Sequence, residues 1–162
     1  MFENTLGMKL RGAYLAMHRA FQAHFAQLTR VGRCGVTADQ FVVLSLLADE
    51  DGLIQRELVR RTRSDANTMT ALLRLLERDG LIRRVRHQND GRARCVFLTE
   101  RGRQLQRRLK RSSAPLHQKL QTAVAADDLP ALLRSLEQIA TAMGELRQPQ
   151  GESGRTWSNA GE

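Results

Sequence analysis

Small polar residues and one arginine share a face of a short helical pattern near the middle of the chain. The apolar residues from Met69 to Leu76 recur at helical spacing, and Asp65 before them is a residue type that caps helix N-termini. Asparagine can pair with adenine, threonine can offer a hydroxyl or methyl group, and arginine can bind guanine or phosphate. We therefore predict a helix that inserts into a DNA major groove and contacts bases and phosphates through four residues: Asn67, Thr68, Thr70 and Arg74.

Two strand-like runs follow this helix, with the turn-forming residues Asn89-Asp90-Gly91 between them. An arginine at a hairpin tip can enter the minor groove, which attracts it by its negative potential. We predict this role for Arg92, with Asp90 orienting its guanidinium group through a bidentate pair. The alternative is a charged hairpin that only discourages edge-to-edge pairing. Three further arginines would support the wing on DNA: Arg84, Arg86 and Arg94.

The positive charge is concentrated in one segment. The chain has a net charge of +9, while residues 54–111 alone hold 17 basic and 6 acidic residues, a net of +11. Because charge confined to one module is typical of proteins that bind polyanions, we expect these arginines to converge on one DNA-facing surface. A solvated surface in an arginine-rich protein is the alternative, since 23 of the 26 basic residues are arginine.

Helical patterns surround this centre. Apolar residues at steps of three and four predict a first helix from about Asn4 to Val31. Thr37 and Gln40 have the spacing of a capping box, which predicts a second, centrally buried helix. Leu53-Ile54 is expected to form a short strand against the wing, followed by a two-turn helix from Gln55 to Arg61.

Two more helices are predicted near the C-terminus. The first begins after Thr99 and runs to about Ala125, with Pro115 expected to kink or split it near Ser112. The second follows Asp127 and has an apolar stripe that extends to Leu146. These helices and the first one carry more apolar surface than a small winged helix can cover, which indicates a dimer interface.

The predicted fold class is therefore mainly α with a small β-hairpin wing. It combines a winged helix-turn-helix with a helical dimerisation region from both chain ends. The predicted organisation is a dimerisation helix in 1–36, the DNA-binding domain in 37–98, dimerisation helices in 99–147 and a flexible tail in 148–162.

Other function classes lack a supporting pattern. Cys34 and Cys95 have neither zinc spacing nor a disulfide framework, and the four histidines do not pair at ligand spacing. We find no nucleophile–base motif, phosphate loop or dinucleotide fingerprint. The longest apolar run, Phe41 to Ala48, is much shorter than the ~20 residues of a membrane span. We expect a cytoplasmic protein that is not an enzyme, with no metal, no cofactor and no membrane contact.

Three runs of residues resemble the MarR family of winged helix-turn-helix transcription regulators. They are Leu76-Glu77-Arg78-Asp79-Gly80-Leu81-Ile82-Arg83-Arg84, Asp90-Gly91-Arg92-Ala93 and Leu98-Thr99-Glu100-Arg101-Gly102, and the likeness covers roughly Leu6 to Leu146. Thr62 and Ser64 stand where the family usually has apolar residues. The turn is therefore either looser or bound by side-chain hydrogen bonds. The family's peroxide-sensing members carry a cysteine early in the first helix, and this chain has none there.

The resemblance implies a homodimer that binds pseudo-palindromic double-stranded DNA and usually represses transcription until a small, often phenolic, ligand or oxidation releases it. The helix from Asp65 to Asp79 would be the recognition helix. Two alternatives remain: a redox-responsive regulator using Cys34 and Cys95, and a winged-helix protein-interaction module that does not bind DNA. By position in the family, the candidates for contact with a small aromatic effector are His18, Phe21, Phe25 and Phe41.

Overall fold

The computed structural model describes residues 2–30, 35–87 and 93–145. Helices and strands within these ranges confirm a mainly helical chain with a small antiparallel sheet. Two compact units divide the chain, Met1–Gln118 and Lys119–Glu162. The helices are α1 Leu6–Arg30, α2 Ala38–Asp49, α3 Gln55–Thr62, α4 Ala66–Arg78, α5 Glu100–Thr122 and α6 Leu129–Glu145, and the strands are β1 Leu53–Ile54, β2 Ile82–Arg86 and β3 Arg94–Leu98.

Helix α2 begins with the predicted capping box. The Thr37 hydroxyl accepts a hydrogen bond from the Gln40 backbone N–H at 3.1 Å, and the Gln40 side-chain oxygen accepts one from the Thr37 N–H at 2.9 Å. These two bonds satisfy donors that the first turn of a helix leaves unpaired. The position of α2 is thus fixed locally before its apolar residues pack into the core.

The three strands form one antiparallel sheet in the order β1-β3-β2. Leu53 of β1 lies opposite Val96 of β3, and β2 pairs with β3 from Ile82↔Leu98 to Arg86↔Arg94. Successive strand residues point to opposite faces, so the buried Val96 and Leu98 alternate with the partly exposed Phe97. The predicted short strand and both wing strands are therefore confirmed, while the turn at 88–92 lies outside the described residues.

One hydrophobic core holds the winged helix together. Phe25 from α1, Leu44 from α2, Leu58 from α3 and Leu73 from α4 are each 0% exposed, and they belong to the same buried cluster. Fully burying one such side chain contributes about 1.5–3 kcal/mol, so these contacts fix how the helices pack. The recognition helix α4 is thereby held firmly by its apolar face.

The junction between the wing and α5 depends on a threonine and a glycine. The Thr99 hydroxyl donates to the Gly80 carbonyl at 2.7 Å and accepts from the Gly102 N–H at 3.0 Å, which caps α5. A Cβ atom on Gly102 would lie 2.0 Å from the Leu81 carbonyl oxygen, so a larger residue cannot fit there without movement. This close approach explains why the Leu-Thr-x-x-Gly pattern has glycine in its last position.

Helix α5 corrects one expectation from the sequence. The helix runs unbroken from Glu100 to Thr122 with Pro115 inside it, so the predicted split does not occur. Proline removes one backbone hydrogen bond from a helix interior. The preceding turns remain packed, since Leu109 and Ser113 are both buried. We attribute the continuity of the helix to this packing, which outweighs the loss of a single bond.

Large apolar side chains remain exposed on the helices nearest the chain ends. On α1, which begins at Leu6 after a short 3-10 turn, Leu6 and Tyr14 are exposed. On α6, Leu133 and Met143 are more than half exposed, and Leu132 and Leu136 are also exposed. None of the described helices has the length and apolar composition needed to cross a membrane. The predicted flexible tail in 148–162 lies outside the described residues.

Candidate nucleic-acid interface

Helix α4 presents a polar face to solvent. Its predicted apolar residues Met69, Leu72, Leu73 and Leu76 are all buried, and Asp65 caps its first turn by accepting the Thr68 N–H at 2.8 Å. Hydrogen bonds from the Thr68 side chain and backbone lower the pKa of Asp65 below its ordinary value. Because the other side of the helix is left to solvent, an outward set of side chains remains exposed: Asn67, Thr68, Ala71 and Arg74.

The four predicted contact residues on α4 differ in whether their side chains are already hydrogen-bonded within the chain. Asn67 and Arg74 are exposed, and no side-chain hydrogen bond or ion pair engages either one within the described residues. The Thr68 hydroxyl donates to the Asp65 carboxylate at 2.6 Å. The Thr70 hydroxyl donates to the Ala66 carbonyl at 2.7 Å and accepts from the Gln55 side chain at 2.8 Å. The Thr70 hydroxyl is therefore already paired within the chain, and the contact of Thr70 with DNA stays a prediction.

Gln55 is a site residue that the sequence alone did not indicate. It is the first residue of α3, and its side-chain amide bridges to Thr70 and approaches the Ala66 carbonyl at 3.4 Å. This contact links the start of α3 to the first turns of α4. Because Gln55 and Thr70 are 15 residues apart, helical periodicity carries no signal for the contact.

The turn between α3 and α4 is bound by a side-chain hydrogen bond. The Thr62 hydroxyl donates to the Leu58 carbonyl at 2.7 Å, and Arg63 adopts a left-handed conformation with φ of 54°. The turn therefore follows the second of the two expectations for a polar residue at this position. It ends α3 and leads directly to the Asp65 cap of α4.

The wing arginines are not equivalent. Arg84 forms an ion pair with Glu77 of α4 and is only 20% exposed, and this pair lowers the pKa of Glu77. Arg94 is exposed and lies opposite Arg86 in the hairpin. The Arg84 guanidinium group therefore links the wing to α4, and its predicted supporting role on DNA stays a prediction. Arg92 and Asp90 lie outside the described residues, so their roles remain predictions.

A cleft of about 510 Å³ lies between the helix-turn-helix and the wing. Arginine side chains and apolar groups alternate along its walls, which makes it a concave basic surface beside the start of α4. The lining residues are Ile54, Gln55, Arg56, Val59, Ala66, Arg84, Ala93, Arg94 and Val96.

Several arginines of residues 54–111 are neutralised within the chain. Arg60 and Arg61 both bind Glu57, and their hydrogen bonds lower the pKa of Glu57 from 4.5 to about 2. Arg103 pairs with Asp51 at 2.5 Å. Arginines of α5 line a separate strip on that helix. The expectation that all these arginines converge on one surface is therefore corrected: some are held in ion pairs, and others lie on a separate strip of α5.

The predicted effector residues fall into two groups. Phe25 is 0% and Phe41 is 7% exposed, and their rings lie 5.0 Å apart, so both belong to the core. His18 and Phe21 are partly exposed. The His18 imidazole lies 3.6 Å from the Asp39 carboxylate, and the Phe21 ring lies 4.8 Å from that of His117. His18 and Phe21 are thus the two of the four that an effector could reach.

Two polar side-chain atoms of α1 and α2 are buried without a hydrogen-bond partner among the described residues. They are Nε2 of His24 on α1 and the Ser45 hydroxyl on α2. A buried polar atom without a hydrogen bond costs about 1–3 kcal/mol, so each is a position where a bound molecule could add a contact. Within the described residues, no group of three His, Cys, Asp or Glu side chains could hold a metal ion. Cys95 is a free, partly exposed thiol, and Cys34 lies outside those residues.

Comparisons with known proteins support the geometry. The family profile of the MarR family matches residues 35–93. The regulator TtmR of Methylorubrum extorquens is 33% identical over 77% of this chain, which spans 62% of the length of TtmR. A structure of the transcriptional repressor CouR bound to a 23-mer DNA duplex is 31% identical, with a TM-score of 0.72 over 86% of this chain and 94% of that one.

A third match, at 29% identity, is the regulator PcaV of Streptomyces coelicolor in complex with its natural ligand. Its TM-score is 0.69, over 88% of this chain and 96% of that one. The profile covers the helix-turn-helix and wing, and the structural matches extend over most of the chain. The chain therefore belongs to the MarR family of winged-helix transcriptional regulators.

Proposed function

We propose that this regulator is a homodimeric, sequence-specific double-stranded DNA-binding protein that represses transcription and is released by a small aromatic effector. One observation carries the proposal: α4 is anchored by a fully buried apolar face and leaves Asn67 and Arg74 exposed and unpaired. The likeness to CouR, whose structure contains a DNA duplex, supports the same reading.

Asn67 and Arg74 are the residues proposed to meet bases or nearby phosphates. Asparagine can form a bidentate pair with adenine and arginine with guanine. Thr68 uses its hydroxyl in the helix cap, which leaves its methyl group to contact a thymine. Thr70 would position α4 through Gln55 rather than bind DNA directly.

The wing is proposed to contact the backbone and the minor groove. Arg92 would enter the minor groove with Asp90 orienting it, and Arg94 and Arg86 would support it. Arg84 would act indirectly, because its ion pair with Glu77 fixes the wing relative to α4. This division of roles makes Arg84 a positioning residue and Arg94 a contact residue.

A homodimer would bring two copies of α4 to successive major grooves about 34 Å apart on a pseudo-palindromic site. The apolar residues exposed on α1 and α6 would become buried between the two copies. The helices of residues 1–36 and 99–147 would thus carry the dimerisation surface, and residues 37–98 would carry the surface that enters the DNA grooves. The alternative, a winged-helix protein-interaction module that does not bind DNA, does not account for the exposed Asn67 and Arg74 side chains beside a basic cleft.

The effector is proposed to bind beside His18 and Phe21. Both side chains are partly exposed, and the unpartnered polar atoms of His24 and Ser45 could supply hydrogen bonds to a phenolic hydroxyl or carboxylate. PcaV, which has been solved with its natural ligand, supports a small-molecule site in the fold. A ligand bound there would lie against α1 and α2 and could change how α2 holds the winged helix.

Selection from a randomised duplex pool, followed by mobility-shift titration, tests the DNA-binding proposal. We expect the wild-type protein to select a pseudo-palindrome. The double substitution Asn67→Ala, Arg74→Ala should weaken its binding at least tenfold, since each good bidentate contact supplies about 1–3 kcal/mol. Arg78→Ala, at an exposed arginine at the C-terminal end of α4, is the matched control and should bind as the wild type does. A protein that selects no duplex, or whose double variant binds normally, would contradict the proposal.

A further inference from the structure

The outward side of helix α5 carries an open, strongly basic strip that the proposed function does not use. It shares no residue with the cleft beside the wing. We name this strip the α5 ridge. It consists of Gln104, Arg107, Arg108, Arg111 and Ser112.

Helical geometry places the α5 ridge opposite the core. The buried residues of α5 include Gly102, Leu105 and Leu109, which recur at steps of three and four on one side of the helix. Arg107 and Arg111 follow the same steps about half a turn away, so they point to solvent. The α5 ridge is therefore an outer surface of the winged-helix unit, on the far side of α5 from its packed face.

The charge on the α5 ridge is poorly compensated. Residues 100–111 contain six basic residues and one acidic residue. Arg107 lies 3.4 Å from the exposed carboxylate of Glu100, while Arg108 and Arg111 have no carboxylate partner among the described residues. Like charges four residues apart, such as Arg107 and Arg111, destabilise a helix. This arrangement opposes helix stability in the free protein, and a bound anion would relieve the repulsion.

The lining indicates the kind of anion. Small-molecule sites are concave and bury most of their ligand, whereas the α5 ridge is an open surface whose five residues all end in polar or charged groups. Guanidinium groups bind phosphate oxygens through paired hydrogen bonds. Side chains three or four residues apart on a helix lie roughly 5–6 Å from one another, so they form a row rather than a single point. A row of arginines suits a chain of phosphates better than one isolated anion.

We infer that the α5 ridge binds the sugar–phosphate backbone of duplex DNA outside the grooves that α4 enters. The inference rests on the proposed function and adds a contact that is independent of base sequence. It assigns a role to arginines that lie away from the recognition face. The regulator would then bind a duplex that extends beyond its recognition sites more tightly than a duplex trimmed to those sites.

The test compares the full-length protein with the double substitution Arg108→Gln, Arg111→Gln. Glutamine keeps the helix propensity close to that of arginine, so the melting temperature should stay equal or rise. The control is Arg78→Gln, Arg101→Gln, which removes the same charge from exposed positions at the end of α4 and the start of α5. Affinity is measured against salt on the selected duplex, both trimmed to the footprint and extended on both flanks.

On the extended duplex, the α5 variant should bind more weakly than the wild type. Its slope of log K against log salt should be smaller by about 3–4, because four phosphate contacts per dimer are lost. On the trimmed duplex it should match the wild type, and the control should match the wild type on both. An unchanged slope on the extended duplex would overturn the inference. It would do so even if the same variant lost affinity for an acidic protein, because the partner of the α5 ridge would then not be DNA.

Two other results would also overturn the inference. In the first, the control loses as much affinity as the α5 variant, which would indicate a general effect of charge. In the second, the α5 variant loses the same affinity on the trimmed and the extended duplex. A failure of the proposed function is distinguishable from these outcomes, because the wild-type protein would then select no duplex at all.

Discussion

Helices α4 and α6 are both amphipathic, yet only α4 has its apolar face covered. Leu73 and Leu76 of α4 are 0% exposed, whereas Leu133 and Met143 of α6 are 57% and 56% exposed. An amphipathic helix gains most of its stability by burying its apolar face. Among the described residues, the apolar face of α4 is therefore covered by its own chain, whereas that of α6 is left uncovered. In our account a second copy covers the apolar face of α6.

The largest effect that tests this comparison comes from shortening one leucine in each helix. Leu73→Ala should cost about 2–5 kcal/mol of unfolding free energy, because it leaves a cavity in the core. Leu133→Ala should instead raise the dimer dissociation constant. Urea unfolding at several protein concentrations separates the two: only the Leu133→Ala loss should depend on concentration. A concentration-independent loss for Leu133→Ala would contradict the comparison.

A smaller effect is expected from two helical glycines. Gly102→Ala should destabilise the protein by about 1–3 kcal/mol, since a Cβ atom there would lie 2.0 Å from the Leu81 carbonyl oxygen. Gly144→Ala in α6, where nothing lies within 4 Å, should instead be neutral or stabilising. Thermal unfolding of both variants measures the difference. Equal changes in melting temperature for Gly102→Ala and Gly144→Ala would show that the junction between the wing and α5 tolerates a side chain at position 102.

The cap of α4 should contribute less. Asp65→Ala removes the acceptor for the Thr68 N–H and should cost about 1 kcal/mol. Asp65→Asn keeps an acceptor at the same position and should cost little. Chemical unfolding of the two variants compares them directly. If Asn destabilised as much as Ala, the charge of Asp65 rather than its hydrogen bond would be the stabilising feature.

The smallest effect concerns pH. Hydrogen bonds from Arg60 and Arg61 lower the pKa of Glu57 from 4.5 to about 2. Because the folded-state pKa is the lower one, the Glu57 contribution is present above pH 4.5 and is lost as the pH falls towards 2. The melting temperature of the wild type should therefore fall as the pH decreases from 4.5 towards 2. The melting temperature of Glu57→Gln should fall less over the same range. An unchanged pH profile would show that these exposed pairs do not contribute.

The local features of this fold could be predicted from the sequence. The Thr37–Gln40 capping box, the Asp65 cap and the buried stripe of α4 depend on residues three or four apart, and each is confirmed. The wing strands were predicted from strand-like runs on either side of the turn-forming residues Asn89-Asp90-Gly91, and both strands are confirmed. Such features need no knowledge of the tertiary structure.

The features that could not be predicted involve residues far apart in sequence. The Gln55–Thr70 hydrogen bond and the Asp51–Arg103 pair depend on packing that local patterns do not encode. The prediction that the arginines of residues 54–111 converge on one surface was wrong for a related reason. Successive residues on a helix point about 100° apart, so a basic segment distributes its arginines over several faces. Pro115 shows the same limit, because packing overrode a local helix breaker.

The most direct test of the central claim is the base preference of an Asn67→Ala variant. Its binding to the selected duplex is compared with binding to duplexes that change one base pair at a time. We predict that preference at one position in each half-site falls by about 1–3 kcal/mol while the salt slope stays the same. An unchanged base preference would contradict the claim that the exposed face of α4 reads DNA.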